Sequence, residues 1–179
     1  MKSAVKSLAA AGTLVAALFA LASCSGGSSP SPSQQSGPAV RFLDREGFDT
    51  ALRQTYRTYS WPADYHPDLD RLSGNSAPGA AEAAPAGSER VILEIANSCA
   101  WYRSWDDAYE RGDQASAGAA LKVLEEVLPT YGPQDPDGRR FAEEAASRAR
   151  SGDASMARQF TEANCDGSIT WAGQSAAES

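Results

Sequence analysis

Histidine is almost missing from this chain of 179 residues: His66 is the only one. A serine–histidine–carboxylate triad would have to be built on it, and no Gly-x-Ser-x-Gly turn is present to carry the serine. Asp64, Asp68 and Asp70 flank His66, so an imidazole–carboxylate metal site can be drawn there. A lone imidazole in a proline-rich loop reads first as a solvated side chain. The phosphate-binding P-loop, the dinucleotide glycine fingerprint and His-Glu-x-x-His are also absent. Lysine is scarce too, with only Lys122 beyond residue 6, and acidic residues outnumber basic ones 23 to 16. The net charge of −7 argues against nucleic acid and against adhesion to anionic headgroups. No segment alternates well enough for a strand, and no internal repeat occurs.

Lys2 and Lys6 open the chain, and Leu8 to Ala22 is mostly Leu, Val, Ala and Phe. That apolar run of about 15 residues is shorter than the ~20 a spanning helix needs. It ends in Leu21-Ala22-Ser23-Cys24, a branched apolar residue, two small residues and a cysteine. Charge, apolar stretch and small residues in this order form a secretory signal. Residues 1–24 resemble the signal peptide and lipobox of a bacterial lipoprotein. The resemblance implies cleavage after Ser23, with residues 1–23 lost, and a diacylglyceryl group on the sulfur of Cys24. Acyl chains such as palmitate would then anchor the protein at the outer face of the cell membrane, two or more chains holding firmly where one holds weakly. Residues 24–39, rich in Ser, Gly and Pro, read as a disordered linker of roughly 20 Å.

With Cys24 consumed, Cys99 and Cys165 remain. An even remainder outside the cytoplasm reads as a disulfide, and two sulfurs without a histidine or acidic cluster make a poor zinc site.

The helical pattern is the clearest feature of residues 40–171. Asp44 can cap a first helix whose inward face is Phe48, Leu52, Tyr56 and Tyr59, stopped at Trp61-Pro62. Residues 62–74 read as an ordered loop, and the Ala/Pro/Gly/Ser-rich residues 75–88 as a mobile one. Ser88 can cap a second helix with Val91, Ile95, Ser98, Tyr102, Trp105 and Tyr109 inward, widened by Ile92 and Cys99 and ended by Gly112. Asp113 can cap a third, with Ala117, Leu121, Leu124 and Leu128 inward and a stop at Pro129. Asp137 can start a fourth carrying Phe141, Ala145 and Ala149, broken or kinked at Gly152-Asp153. A continuation holds Met156 and Phe160, and residues 172–179 read as a frayed tail. The expected fold is all-α, a small bundle of four to five helices stapled by Cys99–Cys165 behind the N-terminal linker.

Chemistry-bearing candidates are few. Glu162, Asn164, Asp166, Gly167 and Ile169 resemble the first half of an EF-hand loop, but Gly173 stands where its bidentate Glu belongs. Asp135, Asp137 and Gly138 echo it more weakly and read better as a turn and helix cap. The adjacent pairs Asp106-Asp107, Glu125-Glu126 and Glu143-Glu144 point about 100° apart on a helix and form no dyad. Glu94 lies at the edge of an apolar face, where it reads first as the solvent edge of an amphipathic helix and otherwise as a buried carboxylate. The aromatics cluster as Tyr56, Tyr59, Trp61 and Tyr65, and as Trp101, Tyr102, Trp105 and Tyr109. Either the clusters pack together as core, or some of them line a cleft or interface.

The expectation is a lipid-anchored extracytoplasmic protein of the cell envelope with a binding or structural role, its partner unidentified and an envelope protein one candidate. The alternatives are a small-molecule or peptide receptor with an aromatic-lined cleft, and an envelope hydrolase using a buried carboxylate. Trp61, Tyr65, Trp101 and Trp105 are the candidate ligand or partner contacts. No catalytic residue, metal site or cofactor is assigned, and no nucleic acid is expected.

Overall fold

The computed structural model describes residues 40–132 and 135–173. The expected signal peptide, Cys24 and linker lie outside the described residues, as do residues 174–179 of the expected tail. The described chain forms six α-helices and one two-stranded antiparallel ribbon, joined by the Cys99–Cys165 disulfide. The all-α bundle behind residues 1–39 is therefore the fold, with more helices than the four or five expected.

Aspartates start four of the helices. Asp44 accepts from the Gly47 amide and opens α1, Arg45–Tyr56. Asp68 accepts from the amides of Asp70 and Arg71 and opens α2, Leu69–Ser76. Asp113 does the same for α4, Gln114–Glu126, and Asp135 for α5, Pro136–Arg150. Each carboxylate satisfies amides that have no partner within the helix and sits at the positive end of its dipole. Pro136 at the first helical position of α5 loses no hydrogen bond there. The long α3, Ser88–Glu110, starts from Gly87 at a φ of 102°. α6 is Ser155–Asn164.

α3 is the spine. Its N-terminal half contributes Leu93 and Ala96 to a core with Leu43, Phe48, Leu52 and Leu72. Its C-terminal half contributes Tyr102, Trp105 and Ala108 to a second core with α4, α5 and α6. Alanines supply much of that second core: Ala117, Ala120, Ala142, Ala145, Ala146, Ala149 and Ala157 are all buried. Small side chains let the helices approach closely at the expense of buried area per residue. Between the two cores lie Cys99, Ala100, Cys165 and Trp171.

Several expectations are corrected. α1 ends at Tyr56, short of Tyr59, because the chain turns there to lay Ser60 against α3. Residues 62–74, expected as loop, carry most of α2; Asp68 was a legible cap that Gly74 obscured. Residues 75–88, expected to be mobile, include β2, Ala84–Pro85, paired antiparallel with β1, Phe42–Leu43. Ser88 is not the cap of α3 but its first residue, and its hydroxyl donates to the Pro85 carbonyl. α5 begins one cap earlier than Asp137.

The inward face of α3 is partly as expected, with Ser98, Cys99, Tyr102 and Trp105 buried, and partly shifted. Val91, Ile95 and Tyr109, expected inside, are exposed, while Leu93, Ala96, Asn97 and Ala100 are buried. α1, α4 and α6 all pack on α3, so its buried arc is set by several neighbours and runs through alanines that a stripe of large residues passes over. The chain does leave helix at Asn164, and Gly152 turns α5 into α6 at a φ of 82°.

The end of the described chain is pinned. Trp171 is buried, the Asp68 amide donates to Thr170 O, and the Ala172 amide donates to His66 O at 2.7 Å. Residue 172 is thus held, where fraying was expected.

The disulfide spans 66 positions. Closing a loop of that length is worth about 4 kcal/mol in the chain-entropy description. Reduction under mild denaturation, or the Cys99→Ala/Cys165→Ala double variant, should lower Tm by roughly 10 °C or more for a domain this size. Thermal unfolding followed by circular dichroism, with and without the bond, measures it.

Candidate functional site

The middle of α3 presents polar side chains to the loops on either side. Asn97 is fully buried; its Nδ2 donates to the Ser60 carbonyl at 2.8 Å, and its Oδ1 accepts from the Tyr131 hydroxyl at 2.7 Å. Trp101 Nε1 donates to the same Ser60 carbonyl. One turn earlier, Glu94 is also buried. Its Oε1 accepts from Arg90 Nε at 2.9 Å and from the Tyr59 hydroxyl at 3.3 Å, and its Oε2 accepts from the Gly132 amide at 3.1 Å. Tyr59 and Tyr131 meet edge to face with ring centres 5.5 Å apart. Glu94 and Asn97 therefore hold the loop after α1 and the loop before α5 onto one face of α3. Sequence reasoning named Glu94 but missed Asn97, whose only signal was an amide inside an otherwise apolar arc.

The four aromatic candidates have structural partners. Trp61 stacks on Tyr56 at 4.9 Å and donates to the Tyr56 carbonyl. Tyr65 packs edge-on against Trp171 and donates to Asp107 Oδ2 at 2.5 Å. Trp101 is half-buried, and Trp105, 1% exposed, belongs to the second core and stacks on the exposed Tyr109 at its edge. None of the principal hollows is lined by Trp61, Tyr65, Trp101 or Trp105. The two sequence clusters do not form one core either: Tyr56, Tyr59 and Trp61 pack with Leu93 and Ala96, whereas Trp101, Tyr102 and Trp105 pack with α4 to α6.

The metal-like patterns disperse. The His66 ring nitrogen Nδ1 pairs with the Tyr56 hydroxyl at 2.8 Å, Asp68 caps α2, and Asp70 takes Arg53. In the EF-hand-like segment Asp166 pairs with Arg103, and the Asn164 amide donates to Phe160 O. Among the described residues no group of three or more His, Cys, Asp or Glu side chains is placed to hold a metal.

What the fold does leave open is apolar. A groove of about 220 Å³ runs beside α3, lined by Val91, Ile95 and Tyr102 of α3, Leu128, and Phe141 and Phe160 of α5 and α6. Glu94 and Asp135 are its charged lining residues. On the other side of Ile95 lies a smaller hollow of about 120 Å³, lined by Leu72, Ile92 and Ile169 with three small polar residues. The depressions around α1 and the start of α3 are mainly polar or charged. Scans against protein-family models, curated proteins and solved structures found no significant match.

Burial pushes the Tyr65 hydroxyl up to about 12, with Asp107 beside it adding to the shift, and burial raises Tyr102 and Tyr131 as well. The unfolded chain loses these protons near pH 10 while the folded chain keeps them, so stability present below pH 10 is lost as pH rises toward 12 and above. Tyr65→Phe should flatten the part of this loss between pH 10 and 12, read from denaturant midpoints across that window. Asn97→Ala should cost about 1–3 kcal/mol, because the half-buried Tyr131 hydroxyl loses its acceptor and the Ser60 carbonyl loses a donor. Equilibrium urea unfolding measures that change.

Proposed function

We propose that this chain is a lipid-anchored protein held at the extracytoplasmic face of the cell membrane, where its helical domain binds an envelope protein. The observation that carries the anchoring is Leu21-Ala22-Ser23-Cys24, following two lysines and a short apolar run. The disulfide supports an oxidising compartment, since such bonds rarely persist in the cytosol. The acidic balance suits a body tethered by lipid and otherwise repelled by anionic headgroups.

Binding is favoured over the two alternatives by the site geometry. Small-molecule pockets run to about 300–1,000 Å³ and enclose most of their ligand. The apolar groove of about 220 Å³ is below that range and suits side-chain anchors of a partner, and the larger depressions of about 380–400 Å³ are lined mainly by charged and polar residues with Tyr59 as their one aromatic, not by the aromatic cleft that a receptor reading needs. Against a hydrolase built on Glu94, its carboxylate is ion-paired with Arg90 and accepts from Tyr59 and Gly132, so three of its roughly four acceptor sites serve to clamp loops onto α3.

The anchoring is tested by expressing the full chain and Cys24→Ala in bacteria supplied with a clickable fatty acid. The native chain should carry the label, fractionate with membranes and show the mass of a product beginning at acylated Cys24. Cys24→Ala should lose the label and accumulate as precursor. Equal labelling of both, or an unmodified native Cys24, overturns the reading.

A further inference from the structure

We propose that the outward face of the β1–β2 ribbon seats in the headgroup layer of the leaflet that holds the Cys24 lipid, fixing one end of the domain against the membrane. The inference rests on the anchoring above and adds a second, non-covalent contact to it. Pairing Phe42 with Pro85 and Leu43 with Ala84 gives the ribbon two faces. Leu43 and Ala84 take the inward face and join the first core. Phe42 and Pro85 point the other way and are exposed, as are Val40 and Ala83, each two residues before one of them. The Ala86 amide donates to Arg41 O, so the paired backbone continues before Phe42 and keeps Val40 on its side. Val40 is 65% exposed and Phe42 59%, more than any other large apolar side chain among the described residues. The four outward side chains carry no charge.

The place of this face in the chain decides its occupant. Val40 follows Cys24 by 16 residues, a length that reaches at most about 55 Å when fully extended. An acylated Cys24 therefore keeps Val40 and Phe42 within that distance of a bilayer at all times. A contact too weak to recruit a free protein then forms as an intramolecular one. The face is also too small for a protein partner: a stable interface takes about 800 Å² from each side, more than one Phe, one Val, one Pro and one Ala can offer. Charge permits the approach. Residues 40–46 hold Arg41 and Arg45 against Asp44 and Glu46, and residues 83–88 hold no charge, on a chain of net charge −7. Asp44 caps α1, Glu82 accepts from the Gly79 amide and Glu89 from the Gly87 amide. Among the described residues, the exposed Arg41 and Arg45 form no ion pair, which leaves both guanidinium groups for lipid phosphates. Repulsion from anionic headgroups turns the acidic remainder of the surface away and leaves this edge toward the leaflet. The seating is shallow, because β1 has an open edge whose backbone groups need the water of the headgroup layer.

The test replaces Phe42 by the photoreactive benzoylphenylalanine, a conservative change at an exposed position, in the full chain. The protein is irradiated in cells and after reconstitution in vesicles of phosphatidylcholine and phosphatidylglycerol. A second protein carries the same probe at Gln114, which is exposed and lies past the other end of α3, about 33 Å along that helix from Ser88. Position 42 should gain the mass of a phospholipid at least about fivefold more often than position 114, which only the tether brings near the bilayer. Adding Arg41→Glu and Arg45→Glu should cut that adduct by about tenfold, with helical content and the mass at Cys24 unchanged. Equal coupling at the two positions overturns the proposal, and so does undiminished coupling in the arginine variant. An adduct of position 42 to a second copy of the chain, or to an envelope protein, in place of lipid overturns it as well. An unacylated Cys24 is a distinct result: it removes the anchoring reading and this inference with it. An acylated Cys24 without a lipid adduct at position 42 removes this inference alone.

Discussion

Cys99 is fully buried at the middle of α3, and its bond to Cys165 ties that point to the end of α6. Around this tie the fold divides naturally. On one side of it α3 packs with α1, α2 and the short ribbon through Leu, Phe and Ala side chains. On the other it packs with α4, α5 and α6 through Tyr102, Trp105 and a set of alanines. An alanine-rich core gains little per residue from removal of apolar area from water, so a covalent constraint that shrinks the unfolded ensemble counts for more here than in a leucine-rich core. The same tie positions residues 165–172, whose backbone hydrogen bonds hold the loop through His66 and Asp68.

Polar groups then complete what apolar packing leaves incomplete. Loops cannot be clamped to a helix by methyl groups alone, because their amides and carbonyls need partners. Glu94 and Asn97 supply those partners for Ser60, Gly132, Tyr59 and Tyr131, and Tyr65 reaches Asp107 from the opposite flank. Farther along, the acids at the end of α3 are matched from outside: Arg158 of α6 lies 2.7 Å from Asp106 and also pairs with Glu110. These pairs are exposed, so they set register between helices more than they add stability. What remains uncovered on this face of α3 is Val91 and Ile95, and the apolar groove lies beside them.

How much of this was legible depends on whether a signal is local. Asp44 and Asp113 announced their helices, since a cap needs only its own first turn. Asp68 carried the same signal for α2, but a short helix containing Gly74 has little periodic pattern to support it. The cysteine pairing was readable by arithmetic. The orientation of α3 was not: the large residues at Val91 and Ile95 suggested a buried stripe, and only the placement of three neighbouring helices shows that Ala96, Asn97 and Ala100 take that role. The tryptophans stayed ambiguous for the same reason, because Trp105 in a core and Trp105 in a cleft have identical local sequence, and only the packing places it in the core.

By itself the sequence determined the helical class, the caps at Asp44 and Asp113, the breaks at glycine and proline, the disulfide, and the signal-like residues 1–24 that carry the proposed anchor. These are properties of neighbouring residues, of composition and of spacing, and they act before the chain has any long-range contact. The tertiary structure decided which face of α3 is buried, that Glu94 and Asn97 are structural clamps, that Trp171 closes the core, and that an apolar groove remains beside Ile95. Each of those depends on which distant segments compete for the same surface, and burial is settled only when every helix has taken its place.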